Sequence, residues 1–232
     1  MKDESRISTA SLLWYFGLAI VMLWFTNFVV SGQINQQFAQ AQQENAAALR
    51  KYEWKSRIEI QRDGETKNVQ VALMRYDSDG SLQKTTVSTT SEQDLRKHGL
   101  RGLIAQKKKN AFMERVEDLG ALAKSYGSLP PDKMQRLMAT ASINPDQKET
   151  RVALHGVLQS GDSMTLWLDP VSRKQRRVEV ETFMEKKPVR IVLEFQDLLQ
   201  SGPTYVARSQ VYYDGDSVAI ITENFDYKRA QS

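Results

Sequence analysis

Hydrophobic and polar positions divide the chain into four textures. The first is the run LLWYFGLAIVMLWFTNFVV from Leu12 to Val30, nineteen residues without a charge and with only Thr26 and Asn27 as polar interruptions. At about 1.5 Å rise per residue such a helix spans about 28 Å, close to the hydrocarbon thickness of a bilayer. Helices of globular proteins keep a polar face, whereas this one is apolar all round with aromatic residues near both ends. Leu12, Trp14, Phe16, Ile20, Trp24 and Val30 mark it as a membrane anchor. Lys2 and Arg6 precede it and no Lys or Arg follows until Arg50, so the positive-inside rule leaves the N-terminus in the cytoplasm and carries the rest across. The alternative is a signal peptide cleaved near Val30-Ser31-Gly32. The run exceeds the roughly 7 to 15 apolar residues of a signal-peptide core, which favours a retained transmembrane helix. Either outcome exports residues 33–232, which in a bacterium means the periplasm.

The second texture, QINQQFAQAQQENAAALR over 33–50, is rich in good helix formers and poor in apolar side chains, and predicts a polar helical stalk. The third begins at Tyr52, where Trp54, Ile58 and Ile60 alternate with charged and polar residues as in a half-buried strand. Asp63-Gly64 and Asp79-Gly80 then turn the chain between strands predicted at Asn68–Tyr76 and Leu82–Thr89. Between 92 and 141 the period changes to three and four. Phe112, Val116, Leu119, Leu122 or Ala123, and Tyr126 share one helical face, with Leu100, Leu103 and Ile104 an earlier turn of the same kind. Pro130-Pro131 breaks that helix and starts another in which Met134, Leu137 and Met138 share a face.

The last texture returns to strands, predicted at Arg151–Leu158, Met164–Leu168, Arg176–Phe183, Val189–Phe195, Tyr205–Tyr213 and Val218–Tyr227. Turn residues separate most of them, at Ser160-Gly161-Asp162, Asp169-Pro170, Gly202-Pro203 and Asp214-Gly215-Asp216. The expected fold is α+β: a curved antiparallel half-barrel of about nine strands, its concave face covered by the helical insertion. The domain limits are 1–32 for the cytoplasmic tip and anchor or signal peptide, 33–50 for the stalk and 51–232 for the half-barrel. An apolar cavity between sheet and helices would suit an acyl chain, and a core filled by side chains gives the same alternation. The candidate cavity residues are Trp54, Ile58, Trp167, Phe183, Leu193, Phe195, Tyr205 and Tyr213.

Composition narrows the chemistry. The 232 residues include 41% hydrophobic and 26% charged residues with a net charge of +4, enough to build a core without staples. The absence of cysteine removes thiol catalysis, Cys-ligated zinc, iron–sulfur clusters and a lipidated N-terminal cysteine, and the only histidines, His98 and His155, form no ligand-spaced pair. No cofactor or metal is expected. Asp77-Ser78-Asp79-Gly80 opens like a calcium loop, but Ser88 stands where its closing carboxylate belongs, so a hairpin turn is the better reading. No Gly-rich phosphate loop or nucleophile elbow occurs, and no enzymatic activity is expected. Lys107-Lys108-Lys109 and Arg173 to Arg177 are basic clusters that suit anionic headgroups, an acidic partner face, or simply a solvated helix and an exposed strand edge. Nucleic acid is excluded as a partner by the export signal and by the lack of interleaved aromatics.

The order of parts resembles the LolA/LolB-like superfamily of periplasmic outer-membrane lipoprotein carriers and sorting proteins. The resemblance covers residues 50–228 and rests on the strand block, the helical insertion and the stretch MTLWLDPVSRKQRRVEVETF, strengthened by Gly202-Pro203-Thr204-Tyr205 and Glu223-Asn224-Phe225-Asp226-Tyr227. It implies a half-open barrel lidded by helices, a cavity for lipid moieties, and a role in lipoprotein sorting or envelope biogenesis. A retained Leu12–Val30 helix departs from a soluble carrier, and the missing cysteine departs from a lipidated receptor. The expected function is thus a periplasmic, non-enzymatic lipid- or lipoprotein-binding module. The alternative is a membrane-anchored structural or sensory envelope protein with a filled core that binds a protein partner.

Overall fold

The structure is a computed structural model that describes residues 44–77, 79–91, 100–127, 129–146, 148–172, 174–199 and 202–230. The expected anchor from Leu12 to Val30, most of the expected stalk, and the insertion's first residues lie outside these, as do the side chains of Leu100, Leu103 and Ile104. Among the described residues no helix is long and apolar enough to cross a membrane.

The strands are β1 (Tyr52–Arg62), β2 (Glu65–Tyr76), β3 (Leu82–Ser91), β4 (Ser142–Pro145), β5 (Thr150–His155), β6 (Ser163–Leu168), β7 (Gln175–Met184), β8 (Lys187–Asp197), β9 (Thr204–Tyr213) and β10 (Val218–Arg229). The helices are α1 (44–49), α2 (Leu100–Gly127) and α3 (Pro131–Ala139). Ten strands, not nine, form one antiparallel sheet in the order β3-β2-β1-β10-β9-β8-β7-β6-β5-β4. The additional strand is β4, between the expected helical section and the strand expected from Arg151. Four exposed residues ending in proline carry no period, and pairing with β5 alone makes them a strand.

Pairing of β1 with β10 puts β3 and β4 at opposite edges of the sheet. The chain between them must therefore cross the sheet, and α2 and α3 do so over the concave face. The apolar face expected of α2 is the buried one: Val116, Leu119, Ala123 and Tyr126 enter the core, with Phe112 and Leu122 packed against it. Met134 of α3 is 1% exposed, and Leu137 and Met138 flank it. The sheet supplies Ile58, Ile60, Val152, Leu154, Met164, Leu166, Val178, Val180, Ile191, Val211 and Ile220 to the same cluster, from alternating positions of β1 and β5 to β10.

Polar contacts fix α2 in place. The Tyr126 hydroxyl meets Asp162 Oδ2 at 2.5 Å and Thr182 Oγ1 at 2.7 Å. Asp162, 1% exposed, also accepts the backbone amides of Val157, Leu158 and Gln159, so the β5–β6 loop folds around one carboxylate. Burial by itself would raise the Asp162 carboxyl, but the Tyr126 hydroxyl and these amides outweigh it and hold it below its ordinary range. Burial, followed by the adjoining carboxylate, pushes the Tyr126 hydroxyl well up. Further along α2, Arg115 reaches Glu185 Oε1 at 2.7 Å and Asp216 Oδ2 at 3.4 Å and stacks over Tyr213. These two carboxylates sit in the β7–β8 and β9–β10 turns. The first of those turns was not visible in the sequence, because Glu185 and Lys186 adopt φ of 52° and 63° without Gly or Asn.

The outer face of the sheet is a lattice of charge pairs. Arg57 bridges Glu59 and Glu223, Arg190 and Arg177 share Glu179, and Lys55 meets Asp226. Hydrogen bonds from Thr66 and Gln61, then Arg57, hold the Glu59 carboxyl at about 2 against a smaller opposing effect of burial. Of the basic run, Lys174 and Arg176 pair with Asp197 beside the β6–β7 turn, and Arg177 belongs to this lattice. The run does not lie on an exposed strand edge, since β7 has neighbours on both sides.

Replacing Tyr126 by Phe leaves the Asp162 carboxylate without its hydroxyl donor and is expected to destabilise the domain by about 1–3 kcal/mol, whereas Asp162→Ala strands the buried Val157 amide and the half-buried Leu158 and Gln159 amides and costs more. Urea denaturation followed by circular dichroism gives the order. Because the folded Glu59 carboxyl is depressed, its contribution is complete above the unfolded value near about 4.3 and is lost as pH falls toward about 2. A Glu59→Gln variant should accordingly show a flatter stability curve between those pH values, read from acid titration of the melting temperature.

Candidate functional site

Strand ends define two halves of the concave face. At the distal end lie the turns at 63–64, 185–186 and 214–217 and the 156–162 loop. The chain enters at the proximal end, through α1 and Tyr52. The described contacts of α2 through Phe112, Arg115 and Tyr126 are with the distal half: Arg62 stacks over Phe112, and the Arg115 and Tyr126 partners are distal turn or loop residues.

At the proximal end the sheet builds a second apolar cluster from its own side chains. Trp54, Ala72 and Met74 are buried together, with Tyr76, Leu82 and Tyr227 packed against them. The rings form a row across four neighbouring strands. Tyr76 lies 5.6 Å from Trp54, Trp54 stacks on Tyr227 at 5.5 Å with planes 9° apart, and Tyr227 meets Tyr205 at 4.3 Å. Burial pushes the Tyr76 hydroxyl up to about 12 and the Tyr227 hydroxyl further, so both stay neutral at physiological pH. Between the two clusters runs a seam of buried polar side chains, Ser56, Gln70, Ser209 and Thr222. Lys84 of β3 donates to Gln70 Oε1 at 2.8 Å, and burial pulls its ammonium down to about 8. The rings pack on one another, leaving Trp54 4% exposed, with Lys84 at the β3 margin of the cluster.

α1 closes on this end through a paired contact. Asn45 Nδ2 donates to the Thr204 carbonyl at 2.8 Å and its Oδ1 accepts the Thr204 amide at 2.6 Å. The last residues of the expected stalk are thus docked on the domain.

The eight candidate cavity residues separate under this geometry. Ile58, Leu193 and Tyr213 join the distal core with Phe195 packed against it, while Trp54 belongs to the proximal cluster, to which Tyr205 connects through Tyr227. Trp167 and Phe183 do not face the interior. Trp167 pairs across the sheet with Arg151 and Arg177, lies under the Arg177 guanidinium, and shares its face with the charge lattice. Phe183 is 37% exposed beside Gly161, one residue out of phase with the buried Thr182. Aromatic character alone selected both, whereas alternation around Leu166 and Thr182 assigns them outward.

Tyr227 was missed for the opposite reason. A bulge with Asp226 at φ 56° reverses the alternation that holds from Val218 to Thr222 and turns Tyr227 inward. A second irregularity between Arg208 and Val206 makes Thr204, Val206, Ser209, Val211 and Tyr213 the buried set of β9, rather than Tyr205 and Ala207. Asp77 and Asp79 make a hairpin turn: Asp77 accepts from Gln83 and Asp79 from the Ser81 amide.

This assignment is checked by stability. Leu193→Ala is expected to cost about 2–5 kcal/mol as a buried truncation, while Trp167→Ala on the solvated face costs about 1 kcal/mol. Equal losses in thermal melts would contradict the register.

No family model matches the chain, and no curated protein matches its sequence. Among solved structures it is similar to a LolA superfamily protein from Nitrosomonas europaea, with 10% identity, coverage of 82% of this chain and 94% of the other, and a TM-score of 0.30. It is also similar to an outer membrane lipoprotein-sorting protein domain from Vibrio parahaemolyticus, with 9% identity, 82% and 90% coverage and a TM-score of 0.38. A DUF1329 family protein from Desulfovibrio piger gives 6% identity, 77% and 85% coverage and a TM-score of 0.34. The chain has the open, helix-covered antiparallel sheet that its resemblance to the LolA/LolB-like superfamily implies, and these structures are likenesses at that distance, not a source for its function.

Proposed function

We propose that the half-barrel is a non-enzymatic module of the bacterial periplasm that binds the acyl chain of a lipid or lipoprotein at the proximal end of its concave face. The observation that carries this reading is the aromatic row of Tyr76, Trp54 and Tyr227, assembled from three neighbouring strands and lying apart from the core that α2 and α3 close. Transfer of each methylene from water to such a wall contributes about 0.8 kcal/mol, so a chain of ordinary length supplies the affinity without specific polar contacts. Lys84 at the β3 margin then meets the polar head. The sequence-level export signal and the resemblance to lipoprotein carriers agree with this assignment, and Leu12–Val30 supplies the attachment to the inner membrane.

A palmitate analogue carrying a photoactivatable diazirine near its terminus tests the reading on the full chain. Crosslinks should concentrate on peptides containing Trp54, Tyr76 and Tyr227, disappear under excess unlabelled palmitate, and fall about tenfold in Trp54→Ala. Labelling spread over the outer face, or insensitive to competition, would sink the acyl-binding assignment.

A second reading is favoured by the β3 edge. Thr85 to Thr90 are exposed on both faces without a charged residue among them, which leaves backbone groups of an edge strand open to an extended segment of another protein. Val87 forms a bulge there, which limits such pairing to short segments.

A further inference from the structure

The proximal cluster is packed shut, with Trp54, Ala72 and Met74 all buried. An acyl chain therefore reaches it only through a movement, and the strand ladders show where the sheet can give. Beside the cluster the β1–β2 ladder continues to Glu53 and Arg75, the β2–β3 ladder to Tyr76 and Leu82, and the β1–β10 ladder to Tyr52 and Arg229. The β9–β10 ladder stops short. It pairs Val218–Glu223 with Tyr213–Arg208 and goes no further, although β9 begins at Thr204 and β10 runs on to Arg229. Past that point Thr204, Tyr205 and Val206 of β9 pair with β8 alone, and β10 pairs with β1 alone. Each strand carries an irregularity there, one between Arg208 and Val206 and the other beside Asp226. A bulge bends the strand that holds it, so the two strands part into a fork.

Side chains close this fork. Asn224 Nδ2 donates to the Val206 carbonyl at 2.9 Å, and the Tyr205 and Tyr227 rings meet across the gap with Trp54 stacked behind Tyr227. Asn45 of α1 takes both the amide and the carbonyl of Thr204. α1 lies along the same mouth: Leu49 is buried, and the Arg50 guanidinium just after the helix would stand 3.7 Å from a Cβ on Gly80 in the β2–β3 turn. The other flank of β9 is held by charge. Thr204 Oγ1 donates to Asp197 Oδ1 at 2.5 Å, and Asp197 takes Lys174 at 3.0 Å and Arg176 at 3.1 Å, which fastens the paired ends of β8 and β9 to the β6–β7 side. Residues Thr204 to Ala207 carry no charge, so no ion pair ties them to β10. The β10 side is the one that yields.

Resting on the acyl-binding reading, we infer that the fork between β9 and β10 is the mouth through which an acyl chain enters the proximal cluster, and that α1, held by Asn45, is its latch. Opening breaks a few side-chain contacts instead of a backbone ladder and parts Tyr205 from Tyr227 in front of Trp54. Release of α1 frees the Thr204 end of β9, so the docking of α1 and access to the cluster form one equilibrium.

The chain contains no cysteine, so a single thiol reports opening without any ligand. Ala72→Cys places one in the proximal cluster, and Ala123→Cys places a control in the distal core. The full chain is reconstituted in vesicles, and labelling of each thiol by methyl methanethiosulfonate is followed by mass spectrometry. Asn45→Ala and, separately, Asn224→Ala should speed labelling at position 72 by about three- to tenfold, as the loss of one or two hydrogen bonds allows, and leave position 123 unchanged. Equal acceleration at both positions would overturn the fork, because the whole domain would then have loosened. So would acceleration in neither variant, or in Asn45→Ala without Asn224→Ala, since α1 alone would then be the cover. The diazirine palmitate probe, applied to the same variants, should crosslink to the Trp54 peptide sooner than in the parent chain. No palmitate crosslink in any variant, beside a selective rise at position 72, would remove the acyl-binding reading and keep the fork as an opening.

Discussion

The pairing of β1 with β10 is the constraint on which the rest of this structure depends. Joining the first and last strands in mid-sheet leaves β3 and β4 at opposite edges, and the connection between them has to travel across the concave face. A helix is the economical way to do so, because it satisfies its own backbone hydrogen bonds while presenting one apolar stripe to the sheet. The 28 residues of α2 give a span of about 42 Å, enough to cross many strands. Val116, Leu119, Ala123 and Tyr126 then close the distal core in a single pass.

Polar contacts add to that apolar stripe in fixing the crossing. Tyr126 and Asp162 form a node in which one buried carboxylate organises a loop, a helix and, through Thr182, a third element. Arg115 ties the same helix to two hairpin turns. Both contacts lie on the distal half. The proximal half is instead faced with aromatic rings and entered by α1.

The two faces of the sheet serve different ends. Outward positions carry interlocking arginine and glutamate pairs, with the depressed Glu59 carboxyl as their most strongly held member. Such a surface keeps a ten-strand sheet soluble and leaves association to its ends and edges. The proximal end combines an aromatic cluster on the sheet with the docking of α1 through Asn45.

Much of this was legible in the sequence. The α+β class, the helical insertion between strand blocks, the α2 face from Phe112 to Tyr126 and the inward positions of Ile58 and Leu193 all follow from period two and period three to four, which local geometry imposes on any chain. Tertiary structure decided what depends on pairing. β4 is a strand only because β5 lies beside it. Tyr227 faces inward because the bulge at Asp226 shifts the phase, and Trp167 faces outward although its chemistry suits a core. Asp162 reads as a turn residue until Tyr126, thirty-six positions away, is brought to its carboxylate. Alternation is a local property, so sequence carries it faithfully, but bulges, edges and buried polar partners are set by contacts between distant segments, and only the folded chain brings those segments together.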